Sequence, residues 1–305
     1  MIVLAFAVLA AICVLGAVRL RGAKWPWRDP RPVVVLWQAL GLTWGLATTG
    51  ALFAYGVEPF GLGVFRGLVA LTAETVVSGP PPLGVDHYVA LLLGTGLLGL
   101  LVGVLAVATV HVFRARRRHR AMLSLVGRGT PEVPGVLVLD HPAAAAYCVP
   151  GLRPQVVISE GTLRLLKDAE LAAVLSHEEA HVRERHDLVL LPFAALRKAL
   201  PFSEVVREAQ SSVALLVEMC ADDHARKRHG PRLLATALLR FGAAGHTPAP
   251  HGALGTVGSA QGEMLARVDR LLTPGPALPL RLRLGLFTVS TLLLLAPPLL
   301  WFLPA

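Results

Sequence analysis

The segment Leu171-Ala172-Ala173-Val174-Leu175-Ser176-His177-Glu178-Glu179-Ala180-His181 decides how the rest of the chain is read. Leu171, Val174 and Leu175 recur at helical spacing and give the segment one apolar face. His177 and His181 stand at i and i+4. On a helix of about 3.6 residues per turn, both imidazoles then lie on one face and can reach one ion. Glu178 projects beside them, where it can act as general base toward a water held by that ion. A charged surface helix with Glu178-Glu179 and Arg183-Glu184-Arg185 would carry the same letters without any metal, so the reading turns on a third ligand.

A hydrolytic zinc site uses three protein ligands and keeps a fourth position open. His186 follows His181 by five residues and on a continuous helix points to a different face. Glu218, 37 residues beyond His181 on a second predicted helix, is the better candidate. In Glu218-Met219-Cys220-Ala221-Asp222 the two carboxylates share a face, and Asp222 can accept the free N–H of a ligating imidazole. Cys220 points away from that face and reads as a small buried side chain. His224, Arg226 and His229 are candidates to stabilise an oxyanion, set against the plainer reading of cations at a helix end.

Around this site the sequence predicts short strands at Gly135–Leu139, Ala145–Val149 and Gln155–Ile158, separated by turn residues. The strand near Ala145–Val149 could pair a peptide along its edge. Ser159 is placed to cap a helix over 160–167, and Asp168 to cap the one that runs to about His186. Leu188–Leu200, broken by Pro192, reads as a buried or membrane-grazing helix. Ser203 opens a further helix that Gly230 ends, Pro231 starts one to about Gly242, and 245–262 reads as a flexible loop before a last helix over Glu263–Leu272.

The composition sets this domain in a membrane. Hydrophobic residues make up 54% of the 305 and charged residues 16%, with a mean hydropathy of +0.60. Apolar stretches at about 2–18, 33–55, 88–113 and 286–303 are each long enough to cross a hydrocarbon core of about 30 Å, though Pro297-Pro298 interrupts the fourth. In the third, Gly94, Gly96, Gly99 and Gly103 suggest close helix packing. The net charge of +9 concentrates beside these stretches: Arg19, Arg21, Lys24, Arg28 and Arg31; then Arg114, Arg116, Arg117, Arg118 and Arg120; then Arg281 and Arg283. By the positive-inside rule all three clusters face the cytosol, which puts both termini outside and the segment between the third and fourth stretches inside. The arginine run is read as a topology signal and lipid anchor, so no nucleic-acid binding is expected. Three cysteines, Cys13, Cys148 and Cys220, make no disulfide framework.

His177-Glu178-x-x-His181 followed by Glu218-x-x-x-Asp222 resembles the gluzincin metalloproteases. The setting, three membrane helices before the domain and one after it, is similar to the BlaR/MecR group of integral-membrane zinc proteases, in the short form of high-GC Gram-positive bacteria. Val149-Pro150-Gly151, Val156-Val157-Ile158 and Arg185-His186-Asp187-Leu188 extend the likeness over most of the chain. The resemblance implies one Zn2+ held by His177, His181 and Glu218, Glu178 as catalytic base, and Asp222 orienting a histidine. It implies a mainly α membrane protein: a membrane region over 1–113, a cytosolic α+β metalloprotease domain over 114–284, and a closing helix over 285–305. It further implies a cytosolic protein substrate such as a winged-helix repressor of the BlaI/MecI kind. The β-lactam receptors carry a penicillin-binding sensor after the last membrane helix, whereas this sequence ends at Ala305, so their antibiotic-sensing role does not transfer. A quality-control protease of the HtpX kind shares the zinc pattern, and a catalytically silent membrane scaffold or receptor is the reading outside enzymes.

Overall fold

The computed structural model describes residues 1–129, 136–151, 154–244, 254–255 and 261–303. Among the described residues, four helices are long and apolar enough to span a membrane: α1 (Ile2–Leu20), α2 (Pro30–Gly56), α4 (Val85–Val126) and α11 (Leu280–Phe302). Between α2 and α4 lies α3 (Val64–Ser78), a helix in what the sequence reads only as an outer loop. α2 is the hub. It packs on α1, α4 and α11, and Thr43 Oγ1 donates across to the Leu293 carbonyl at 2.8 Å. Pro297 and Pro298 do not break α11, which continues to Phe302. Membrane helices tolerate proline where neighbouring groups make up for the lost backbone bonds.

The glycines of α4 do less than expected. A Cβ on Gly94 would meet Phe53 at 3.1 Å, but Gly96, Gly99 and Gly103 face open space. Close packing falls instead to α2, where a Cβ on Gly50 would meet the Phe6 ring at 2.6 Å. The helix that carries the smaller residue at each crossing sets how near the axes come.

At 42 residues α4 is about 63 Å long, roughly twice the hydrocarbon thickness, and its end enters the domain. Arg116 Nη1 is 2.8 Å from Asp187 Oδ2, with both residues buried. Arg120 donates to the Pro150 carbonyl at 2.8 Å, and His119 Nε2 meets the Tyr147 hydroxyl at 3.0 Å. The arginine run is therefore part structural. Arg114, Arg117 and Arg118 are exposed, while Arg116 and Arg120 tie α4 to the domain.

The domain pairs a small sheet with a helical layer. Strands β1 (Arg128–Gly129), β2 (Val136–Leu139), β3 (Ala146–Val149), β4 (Gln155–Ser159) and β5 (Leu254–Gly255) lie in the order β1-β2-β4-β3-β5, with β2 and β4 parallel and the other pairs antiparallel. The helices are α5 (Glu160–Leu165), α6 (Asp168–Arg183), α7 (His186–Ala199), α8 (Glu204–His229), α9 (Pro231–Ala243) and α10 (Gln261–Leu272). Ser159 caps α5 by accepting from the Thr162 N–H, and Ser203 caps α8 by accepting from Val206. Asp168 is not a cap but the first helical residue of α6, where the Lys167 N–H donates to the Glu170 carboxylate at 3.0 Å. Gly230 stops α8 at φ +83°, a conformation open to glycine at little cost, and Pro231 starts α9.

Two further expectations need correction. β3 is not a free edge, because β5 pairs with it at Tyr147↔Gly255 and Cys148↔Leu254. α7 runs unbroken through Pro192. Of the expected 245–262 loop, residues 245–253 and 256–260 lie outside the described residues.

Three apolar clusters hold α6 and α8 in place. Leu171 and Val174 of α6 join the sheet residues Val136, Val138 and Ile158. Ala173, Ala225, Leu234, Val268 and Leu271 lock α6, α8, α9 and α10 together. On its other side, α8 buries Val213, Leu216 and Val217 against Val33, Trp37 and Leu40 of α2. The domain and the membrane helices thus share one apolar core.

Candidate active site

α6 presents His177 and His181 toward Glu218 of α8, and these two histidines and Glu178 are all 0% exposed. His177 Nε2 and His181 Nε2 lie 3.1 Å apart, and Glu218 carboxylate oxygens stand 3.4 Å from each of them. Tetrahedral zinc with nitrogen and oxygen bonds of about 2.0–2.2 Å separates its ligand atoms by about 3.3 Å. The three side chains are therefore spaced to hold such an ion, and their potential ligand atoms all fall within 4.8 Å of one another. The donor set fits too, since two imidazoles and a carboxylate are borderline ligands suited to zinc. Glu218 retains 19% side-chain exposure, so the cluster is open on its side.

The groups behind the cluster fix its charge. Asp222 Oδ1 is 3.0 Å from His177 Nδ1, on the far side of the ring from Glu218. With Nδ1 donating to Asp222, Nε2 faces the other ligands and can bind an ion on giving up its proton. Burial alone would lower the His177 imidazole, but its hydrogen bonds to the Asp222 and Glu218 carboxylates outweigh it and raise the group to about 9. Burial holds His181 down to about 3, so its lone pair stays free. Burial would raise Glu218, yet His181 and Arg267 pull it down to about 2.

The sequence reading missed Arg267. This residue of α10 is 0% exposed and grips Asp222 in a fork, Nε to Oδ2 at 2.8 Å and Nη2 to Oδ1 at 2.7 Å. Its Nη1 also lies 3.0 Å from Glu218 Oε2. One guanidinium thus offsets buried Asp222 and partly exposed Glu218, and its bidentate geometry suits it for that role better than a lysine. Burial would push Asp222 up, but Arg267 holds it well below the usual carboxylate range.

His186 also differs from expectation. α6 ends at Arg183, and Arg185 takes a left-handed φ of +52°, so the chain turns before His186. His186 is not among the three grouped ligands, yet it does not point away. Its Nδ1 sits 2.9 Å from His181 Nδ1.

The oxyanion candidates follow Glu218 on α8. Arg226 pairs with Asp223 at 3.0 Å. His229 is eleven residues past Glu218, about 16 Å along α8. His224 is held below the ordinary imidazole range by burial and by Arg228, outside the cluster. Cys220 is buried in the core that α8 shares with α1 and α2, as expected of a side chain turned from the site.

Residues 113–227 match the family model for peptidase family M48, a stretch that contains His177, Glu178, His181, Glu218 and Asp222. The matched stretch is under half of the chain, which is similar there to peptidases of this family. It begins in the last turns of α4 and ends in α8, ahead of the fourth membrane helix, and together with the four apolar helices it supports a membrane-type metalloprotease. Over 94 residues the chain is 36% identical to a Protease HtpX homolog from Methanopyrus kandleri, an alignment covering 28% of this chain and 30% of that protein. Both findings point to M48-type metalloproteases, and neither bears out the narrower BlaR/MecR kinship expected from the sequence. Arg267 falls beyond the matched stretch, so it is the structure alone that joins α10 to the site.

Proposed function

We propose that this chain is a membrane-embedded zinc endopeptidase that cleaves a cytosolic protein such as a winged-helix repressor. The observation that carries the reading is the tetrahedral spacing of His177, His181 and Glu218 directly beside buried Glu178. Zinc, when bound, supplies a Lewis acid for the scissile carbonyl and acidifies water. The rest falls to side chains. Glu178 takes the proton of the attacking water on its carboxylate and passes it to the leaving amine. Asp222 keeps His177 in the tautomer that ligates through Nε2. Arg267 keeps Asp222 and Glu218 ionised in a buried site.

Charge placement supports a cytosolic domain. Arg21 reaches Glu208 at 3.4 Å, Arg28 donates to the Pro276 carbonyl at 2.7 Å, and Arg283 meets Asp29 at 2.6 Å. These basic clusters therefore gather on the side of the membrane where the domain sits, as the positive-inside rule requires of a cytosolic domain. Reporter fusions test this. A phosphatase active only outside the cytosol is expected to be active when fused at residue 70 and inactive at residue 250. The reverse pattern would put the domain outside and remove cytosolic substrates from the reading.

A second reading, membrane-protein quality control, is favoured by the HtpX homolog match. The two are separated by comparing protein termini in cells that express the wild type or Glu178→Gln. A repressor-class substrate is expected to yield one or a few new termini in a soluble DNA-binding protein. Many new termini in membrane proteins would favour quality control. No difference between the two strains would favour a silent scaffold.

A further inference from the structure

The turn after α6 connects the metal cluster to the membrane helices. His186 Nδ1 lies 2.9 Å from His181 Nδ1, and the rings meet edge to face with centroids 4.8 Å apart. His186 is 3% exposed, and its other nitrogen, Nε2, lies 3.4 Å from Glu184 Oε2. The second Glu184 oxygen, Oε1, is hydrogen-bonded by Arg31 Nη2. Arg31 is the second residue of α2, the hub of the membrane bundle. The next residue after His186 is also anchored, since Asp187 is held by Arg116 of α4 at 2.8 Å.

The chemistry of the chain has a direction. A neutral imidazole that ligates through Nε2 carries its proton on Nδ1. His181 Nδ1 must then donate, so His186 Nδ1 accepts and His186 Nε2 carries the proton that faces Glu184. Each link orients the next, from Arg31 to Glu184 to His186 to His181. The backbone is shaped to allow this. Arg185 is the only non-glycine residue with positive φ among the described residues, and a left-handed conformation there is uncommon without a structural demand. A continuous helix would have turned His186 away from His181.

We propose that His186 is the positioning residue of His181, and that Glu184 and Arg31 extend this support to membrane helix α2, so that the seating of α2 sets how well the cluster holds its metal. The inference rests on the zinc reading of the site and adds a route by which the membrane region acts on it. It treats the basic residue at the start of α2 as part of the site's support as well as a topology signal.

The test uses the full-length chain in detergent, with zinc affinity measured by competition against a chromophoric chelator and the visible spectrum of the Co2+-loaded protein as a second readout. His186→Ala is expected to weaken zinc binding about 10–100-fold and to shift the Co2+ bands, as loss of a histidine's outer partner does elsewhere. His186→Gln, whose side-chain oxygen can accept from His181, is expected to recover part of both. Arg31→Met is expected to weaken zinc binding by itself and to have no further effect in the His186→Ala background. Wild-type affinity and an unchanged spectrum in His186→Ala would overturn the positioning role. Equal Arg31→Met effects in both backgrounds would overturn the link to α2. If His186→Ala does not fold, Glu184→Gln and His186→Gln give the same readouts. Failure of the wild type to bind either metal would overturn the zinc reading itself, a result distinct from any confined to the variants.

Discussion

Glu178→Gln is expected to cut proteolysis by about 10²–10⁴-fold, the contribution typical of a positioned general base. Glutamine keeps the shape and the hydrogen-bonding ability of the side chain but cannot take a proton from water at neutral pH. Glu178 is not one of the three grouped ligands, so metal content should stay at the wild-type value. The comparison therefore separates chemistry from binding. Assaying peptide hydrolysis and metal content on the same preparation checks it. Full activity in the variant would remove Glu178 from the reaction, whereas loss of metal would mean it serves the site in another way.

The second large effect is expected at Arg267. Replacing it with methionine keeps much of the volume but leaves Asp222 and Glu218 without the cation that pairs with both. Removing one partner of a buried ion pair costs about 3–5 kcal/mol, because the charge left behind stays out of water. A clear fall in the thermal midpoint of the detergent-solubilised chain is the expected result. Arg228 supplies the contrast. It pairs with Glu179 at 2.7 Å, but both side chains are about half exposed, and such pairs contribute about 0–1 kcal/mol. Arg228→Met should leave the midpoint almost unchanged. Equal effects from the two substitutions would mean that the buried cation is not holding the site together.

What could be read from the sequence follows the range of the forces involved. Helix limits set by local chemistry, such as Ser159 and Ser203 at their caps and Gly230 and Pro231 at the break, were visible because each depends on neighbours a few residues away. The juxtaposition of His177, His181 and Glu218 was legible because helical spacing fixes the first pair and Asp222 marks the face of the third. Arg267 was missed since its partner Asp222 lies 45 residues away, although a trace was present. On α10, Arg267 shares a face with apolar Met264, Val268 and Leu271, and an arginine on the buried face of an amphipathic helix calls for a buried anion.

His186 was out of reach for a different reason. Its position depends on a left-handed Arg185, and arginine carries no signal for that conformation as glycine would. Likewise, nothing local to Ala146–Val149 shows that Leu254-Gly255 occupies its outer edge. The glycines of α4 misled because small residues permit close packing without requiring it, and three of those four face no partner among the described residues.

The central claim is that His177, His181 and Glu218 form a zinc site. The direct test is elemental analysis of the full chain, purified without chelators, beside Glu218→Ala, with circular dichroism confirming that both are folded. The account predicts about one zinc per chain in the wild type, lost or sharply weakened in the variant. A well-folded wild type without zinc, or a Glu218→Ala chain that retains zinc at full occupancy and affinity, would contradict it.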